Sequence, residues 1–141
     1  MGYMTRRGFG VAVVAALATA NLGACSGSGG GAAQNGSHLG VSDFEALIAK
    51  PGTVVIDVRT PSEFAAGHLP YAVNIDVQGA DFAQRVAALD KSGTYALYCH
   101  SGNRSGRALD QLTGAGFQHV VDLSGGVGAW TAAGHQLVTG S

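Results

Sequence analysis

The stretch Tyr95-Ala96-Leu97-Tyr98-Cys99-His100-Ser101-Gly102-Asn103-Arg104-Ser105 decides how this chain folds. Its first four residues are apolar and strand-like, Cys99 to Arg104 form a tight loop, and Ser105 to Thr113 carries Ala108, Leu109 and Leu112 at helical spacing. A strand feeding a loop and then a helix is half of an α/β crossover. The same geometry gathers backbone N–H groups, with the helix dipole behind them, around one point. A cysteine at that point ionises more easily than a free thiol, because those donors stabilise the thiolate. Cys99 is therefore read as a chemical residue rather than a packing residue.

Outward from the loop the same alternation recurs. Ser42-Asp43-Phe44-Glu45 has the pattern of a capping box, with Phe44, Leu47 and Ile48 on one helix face and Pro51-Gly52 as the stop. Thr53 to Val58 contains Val54-Val55-Ile56, a β-branched run suited to a buried strand. Thr60-Pro61-Ser62-Glu63 is a second capping box, opening a short helix that Gly67 closes. Ala72 to Ile75 reads as a strand, and Phe82, Val86 and Leu89 mark a helix face. His119 to Leu123 is a further strand, and Gly125 to Ala133 a short helix carrying Trp130, expected in the core or site wall. Strands joined through helices predict a three-layer α/β domain, with a central parallel sheet of about five strands and helices on both faces. Ligands in such sheets sit beyond the carboxyl ends of the strands, which places Cys99 and Asp57-Val58-Arg59 at one crevice.

The chain has 141 residues, enough for one domain preceded by a processing segment. Arg6 and Arg7 form a positive n-region, and Phe9 to Ala18 is apolar but too short to span a bilayer. Leu22-Gly23-Ala24-Cys25 resembles a bacterial lipobox, which implies that residues 1–24 are a signal peptide and that Cys25 becomes a lipidated (palmitate-type) N-terminus. Thr5 to Phe9 also resembles a twin-arginine export signal; an ordinary cleaved signal or an N-terminal membrane anchor is the other reading. Ser26 to Ser37 lacks charges and large apolar side chains, and is expected to be a flexible tether reaching about 20 Å. The expected organisation is thus a signal segment 1–24, a lipidated tether 25–37, and a folded domain 38–141 held on the outer side of the cytoplasmic membrane.

Loss of Arg6 and Arg7 leaves six basic and nine acidic side chains, a formal charge of −3, which argues against nucleic acid as a partner. With Cys25 lipidated, Cys99 has no disulfide partner within the chain. His38, His119 and His135 lack metal-like spacing, and Gly125-Gly126-Val127-Gly128 lacks the lysine and spacing of a phosphate loop, so no metal or other cofactor is expected.

A resemblance adds to this reading. Ile56-Asp57-Val58-Arg59-Thr60-Pro61-Ser62-Glu63-Phe64, Gly67-His68-Leu69-Pro70 and Ala72-Val73-Asn74-Ile75 resemble the N-terminal half of a rhodanese domain. The Cys99 loop, Gly114-Ala115-Gly116-Phe117, and Leu123-Ser124-Gly125-Gly126 with Trp130 resemble its C-terminal half. Tyr71 departs from the family pattern, which has a glycine after the proline of the Gly-His-x-Pro turn. The resemblance implies transfer of sulfane sulfur through a persulfide on Cys99, from a small donor such as thiosulfate to a thiol or dithiol acceptor. Phosphatases of the same fold carry five residues between cysteine and arginine; here four intervene, a smaller cradle suited to one sulfur atom.

In that scheme His100, Ser101, Gly102, Asn103, Arg104 and Ser105 bind the substrate or persulfide, mainly through main-chain N–H groups, and Asn103 or Ser105 caps the following helix. Arg104 either holds the sulfonate end of the donor or ties the loop to a nearby carboxylate. His100 is expected at the rim rather than as a general base. Asp57, Arg59, Glu63 and His68 are expected to support the site: Glu63 as a capping-box member, Asp57 and Arg59 as a pair. The competing reading is a non-catalytic redox or persulfide sensor, or partner-binding module, built on an exposed low-pKa thiol.

Overall fold

The computed structural model describes residues 33–140, so the expected signal segment, Cys25 and most of the tether lie outside the described residues. Five strands, β1 (Ser37–Leu39), β2 (Thr53–Asp57), β3 (Val73–Asn74), β4 (Thr94–Tyr98) and β5 (His119–Leu123), form one sheet in the order β1-β5-β4-β2-β3. Every pairing is parallel. Five helices connect and cover it: α1 (Val41–Ile48), α2 (Pro61–Ala66), α3 (Phe82–Ala87), α4 (Asn103–Gly114) and α5 (Gly126–Ala132). Among the described residues no helix is long and apolar enough to cross a membrane.

The period-2 alternation of strands divides the core between the two faces. Tyr95 and Leu97 of β4 pack with Phe82 and Val86 of α3 and Leu109 and Leu112 of α4. Ala96 and Tyr98, their neighbours in sequence, pack with Phe44 of α1 and Val127 and Trp130 of α5. The expected three-layer arrangement is thus present, with Trp130 buried in the second layer.

The chain leaves β2 toward β3 and leaves β4 in the opposite direction, toward β5, although β2 and β4 are neighbours. Adjacent strands whose connections diverge open a crevice at their carboxyl ends. Asp57 ends one of these strands and Cys99 follows the other directly.

The fold departs from the sequence reading at two places. The tether ends before Ser37, because Asn35 is already bound on both sides: its Nδ2 donates to the Phe117 carbonyl (2.9 Å) and its Oδ1 accepts from Val120 N–H (2.8 Å). The Gly36 N–H donates to the Val120 carbonyl (2.7 Å), and β1 then pairs with β5, so Asn35 to Ser37 are held where loose chain was expected. The Ser42 capping box does not form: Gly40 is the N-cap and α1 begins at Val41, so Ser42 already stands inside the helix. At its other end α1 stops as expected ahead of Pro51-Gly52, with Ala49 as C-cap and Lys50 N–H bonded to the Leu47 carbonyl. The second capping box forms as expected, with Thr60 and Glu63 bonded reciprocally and Pro61 opening α2.

Tyr71 takes a glycine-like backbone angle. Its φ is +64°, the left-handed region where a glycine stands in the family pattern, and its side chain is 97% exposed. Holding that angle costs a non-glycine residue about 1–2 kcal/mol of backbone energy. Tyr71→Gly is therefore expected to stabilise the domain by about 0.5–1 kcal/mol in urea unfolding, the gain reduced by the greater freedom of glycine in the unfolded chain. A neutral or destabilising result would contradict the assignment of strain to this residue.

Candidate active site

Cys99 lies between the end of β4 and the start of α4, and it is fully buried. The exposed thiol expected from sequence is thus corrected: the sulfur is enclosed by its own loop. Gly102 is the N-cap of α4 with φ +100°, an angle that favours glycine, and its N–H donates to Cys99 Sγ at 3.0 Å. No side chain caps α4. Asn103 is its first residue and Ser105 turns inward, so neither performs the expected cap; the sulfur stands where a capping oxygen would.

Opposing effects act on the thiol. Burial pushes its pKa up, while the Ser105 N–H and hydroxyl and the Gly102 and Ser101 N–H groups favour the thiolate. The hydrogen bonds outweigh burial, and the pKa falls below the ordinary thiol value. Of these, the Gly102 N–H makes the hydrogen bond to the sulfur, at 3.0 Å. His100 has an exposed side chain, as expected of a rim residue, and contributes its carbonyl, which accepts from Gly128 N–H (3.2 Å). Asn103 is exposed.

Arg104 forms a two-pronged pair with Glu63 of α2: Nη1 to Oε2 and Nη2 to Oε1, both 2.8 Å. Of its two expected roles, the tie to a carboxylate is thus the one the geometry displays, and it leaves Nε and the outward N–H bonds free. Glu63 also accepts from the Thr60 N–H (3.1 Å) and hydroxyl (2.9 Å). The Arg104 hydrogen bond first, and those from Thr60 next, overcome partial burial and lower the Glu63 pKa to about 2. Glu63 raises the Arg104 pKa in return, with a smaller contribution from Cys99.

Asp57 and Arg59 are paired as expected, and both are buried. Arg59 Nη2 donates to Asp57 Oδ2 and to the Gly67 carbonyl, each at 2.6 Å, and Nε donates to both carboxylate oxygens. The guanidinium lies 5.7 Å from the Tyr98 ring, whose hydroxyl accepts from Leu69 N–H (3.0 Å). Burial, followed by the Asp57 charge, pushes the Tyr98 phenol far above its ordinary range, so it stays neutral. His68 stacks on Phe64 at 3.8 Å and bonds the Phe64 carbonyl through Nδ1 (2.8 Å). These three residues brace the α2 connection, and only Glu63 of the supporting set reaches the cysteine loop.

Sequence reasoning passed over three participants. The turn Gly125-Gly126 seats the loop, with Val127 N–H donating to the Cys99 carbonyl (2.9 Å). Asp122 is buried in β5 and accepts from Ser105 Oγ (2.7 Å), and His38 Nδ1 lies 2.6 Å from its other oxygen. A carboxylate inside an otherwise apolar strand was the signal that would have found them. Among the described residues no group of three or more metal-ligating side chains converges.

An α/β domain with a cysteine at a strand end, its sulfur facing main-chain donors at a helix N-terminus, is a class of thiol-active crevice protein. The rhodanese-like domain family model matches residues 40–133, and the chain belongs to this family. It is 38% identical over 87 residues to the thiosulfate sulfurtransferase GlpE of Pseudomonas putida, covering 61% of this chain and 76% of that protein. It is 37% identical over 91 residues to an uncharacterised Synechocystis protein, of which it spans half the length and which it matches with 64% of its own. A rhodanese-related protein from Thermoplasma volcanium superimposes with a TM-score of 0.65 at 28% identity, covering 74% of this chain and 99% of that one. Sulfurtransferase-named relatives and this fold together support a sulfurtransferase-type function.

Glu63→Gln is expected to cost about 1 kcal/mol at neutral pH, a value kept small because both partners of the pair are partly solvated. The Glu63 pKa is lowered on folding, so its contribution is complete above the ordinary carboxylate value of 4.5 and is lost as pH falls toward about 2. Urea unfolding of wild type and variant should therefore converge across that window. A gap that widens on acidification would contradict the ion-pair account.

Proposed function

We propose that this chain is a sulfurtransferase that carries sulfane sulfur as a persulfide on Cys99. The observation that carries the reading is the Cys99 sulfur at the N-terminus of α4, accepting from Gly102 N–H with its pKa drawn below the ordinary value. In the first step the thiolate attacks the outer sulfur of a donor such as thiosulfate; a new S–S bond forms, the donor's own S–S bond breaks, and sulfite leaves with the electron pair. In the second, an acceptor thiolate takes the outer sulfur and Cys99 departs as thiolate. The enzyme alternates between two covalent states, which gives ping-pong kinetics. The bound persulfide is anionic, and the loop N–H groups that stabilise the thiolate are placed to serve it also. Arg104, held by Glu63, adds positive potential beside the sulfur.

The proposed setting is the outer side of a bacterial cytoplasmic membrane, with Cys25 lipidated and the chain ahead of Ala33, which packs on the core, as tether. The Leu22 to Cys25 sequence supports this, and a Cys25→Ala variant should lose the acyl mass and membrane association. A disulfide-forming sensor would need a resolving thiol, and among the described residues Cys99 is the single free cysteine.

Incubation with thiosulfate, then peptide mass spectrometry, tests the proposal. One sulfur atom, about 32 Da, should add at Cys99, and none should appear at that position in Cys99→Ser. Hydrolysis of an aryl phosphate should be negligible. Oxygen adducts alone at Cys99, or phosphatase turnover matching sulfur transfer, would overturn the reading.

A further inference from the structure

Four large apolar side chains are exposed among the described residues, and three of them, Val54, Tyr71 and Val73, line one groove of about 700 Å³. Ile48, Pro70 and the buried Trp130 line it too. β3 pairs only with Ile56 and Asp57, so no described strand covers the β2 edge at Thr53 to Val55, which also borders the groove. Tyr71 is 97% exposed and held at φ +64°. A strained residue that the domain's own packing does not use is expected to serve a contact outside it.

The chain enters the domain beside this groove. Ala33 packs on the core and lines a second cavity of about 320 Å³, which shares Lys50, Pro51 and Thr53 with the first. Eight residue steps separate Ala33 from Cys25, and they span at most about 29 Å. Whatever holds Cys25 therefore stays within reach of this face. Lys50 lies exposed between the two cavities and has no acidic partner among the described residues. Glu45, the acid lining the groove, lies 3.5 Å from His135 Nε2. Thr94 lines the smaller cavity, and Cys99 follows five residues later, about 16 Å along the strand at the other end of the sheet.

We propose that the Tyr71 groove docks the domain on an anionic lipid surface, the one to which Cys25 is attached. This rests on the membrane-anchored setting proposed above. Tyrosine has an apolar ring and a polar tip, the chemistry of side chains that settle at a membrane–water boundary. Val54 and Val73 add apolar area beside it, and Lys50 supplies the cation for headgroup phosphates. A glycine at position 71 would relieve the backbone angle and lose the contact. With this face on lipid, the Cys99 crevice at the far end of β4 opens to water, where soluble donors and acceptors reach it.

Trp130 is the chain's single tryptophan and lines the groove, so its emission reports the contact. The acylated chain is reconstituted in phosphatidylglycerol-containing vesicles, with and without a lipid bearing a nitroxide on its headgroup, and Trp130 should be quenched. Lys50→Gln should lower the docked-to-free ratio about fivefold, the worth of one basic side chain at an anionic surface. Tyr71→Gly, which suits the turn, should lower it by a similar factor, the worth of burying about 40 Å² of ring. Arg107→Gln, the same charge change on α4 across the sheet, should leave it within about twofold. An acylated, vesicle-bound chain with unquenched Trp130, or quenching that neither Tyr71→Gly nor Lys50→Gln weakens, overturns the docking alone. A Tyr71-dependent dimer by ultracentrifugation, in place of quenching, gives the groove to a second copy and also overturns it. A chain recovered without acyl mass at Cys25 and free of membranes overturns the anchored setting, and the docking with it.

Discussion

The peptide groups after Cys99 are held from outside by the turn that opens α5. Val127 N–H takes the Cys99 carbonyl and Gly128 N–H takes the His100 carbonyl, at 2.9 and 3.2 Å. In a planar trans peptide the carbonyl and the following N–H point in opposite directions. Fixing these carbonyls outward therefore turns the next N–H groups inward, and the Ser101 N–H duly faces the sulfur. The approach is close enough that a Cβ at Gly126 would sit 2.7 Å from the His100 carbonyl carbon and oxygen. Only glycine permits that contact, so the second glycine of the pair is a requirement of the cysteine loop rather than of its own helix.

Around this core the charges fall into two separate clasps. Asp57 and Arg59 are buried and satisfy each other, with the Gly67 carbonyl completing the guanidinium's partners. Removing either would strand a charge in the interior, at a cost of about 3–5 kcal/mol. Glu63 and Arg104 form the outer clasp, partly exposed to solvent, and join α2 to the first turn of α4. The inner clasp fixes where the β2 end lies, and the outer one carries positive charge to the sulfur. Fold and reactivity meet in Glu63, which caps one helix and restrains the next.

Much of this was legible in the sequence because local signals and tertiary packing agreed. Tyr95 to Tyr98 reads as a strand and is one, and Thr60-Pro61-Ser62-Glu63 both predicts and forms a capping box. His119 to Leu123 has the same bounds in the sequence reading and in the structure. Failures arose where partners distant in sequence decided the outcome. Ser37 to Leu39 has no strand pattern of its own and becomes one by pairing with β5. Ser42 lost its capping role because β1 delivers the chain into α1 at Gly40, and Ser124 N–H fixes Leu39 just before it. In the site, Cys99 and its donors followed from strand–loop–helix order, whereas Asp122 and His38 join only through the sheet, 84 residues apart.

One balance decides the reactivity of Cys99: the hydrogen-bond donors around its sulfur outweigh burial. Ultraviolet thiolate absorbance, titrated for native and denaturant-unfolded protein with the Cys99→Ser signal subtracted, isolates it. The native Cys99 transition should lie at lower pH than the unfolded one. A native transition at the same pH or higher would show that burial wins, and that the loop does not activate its thiol.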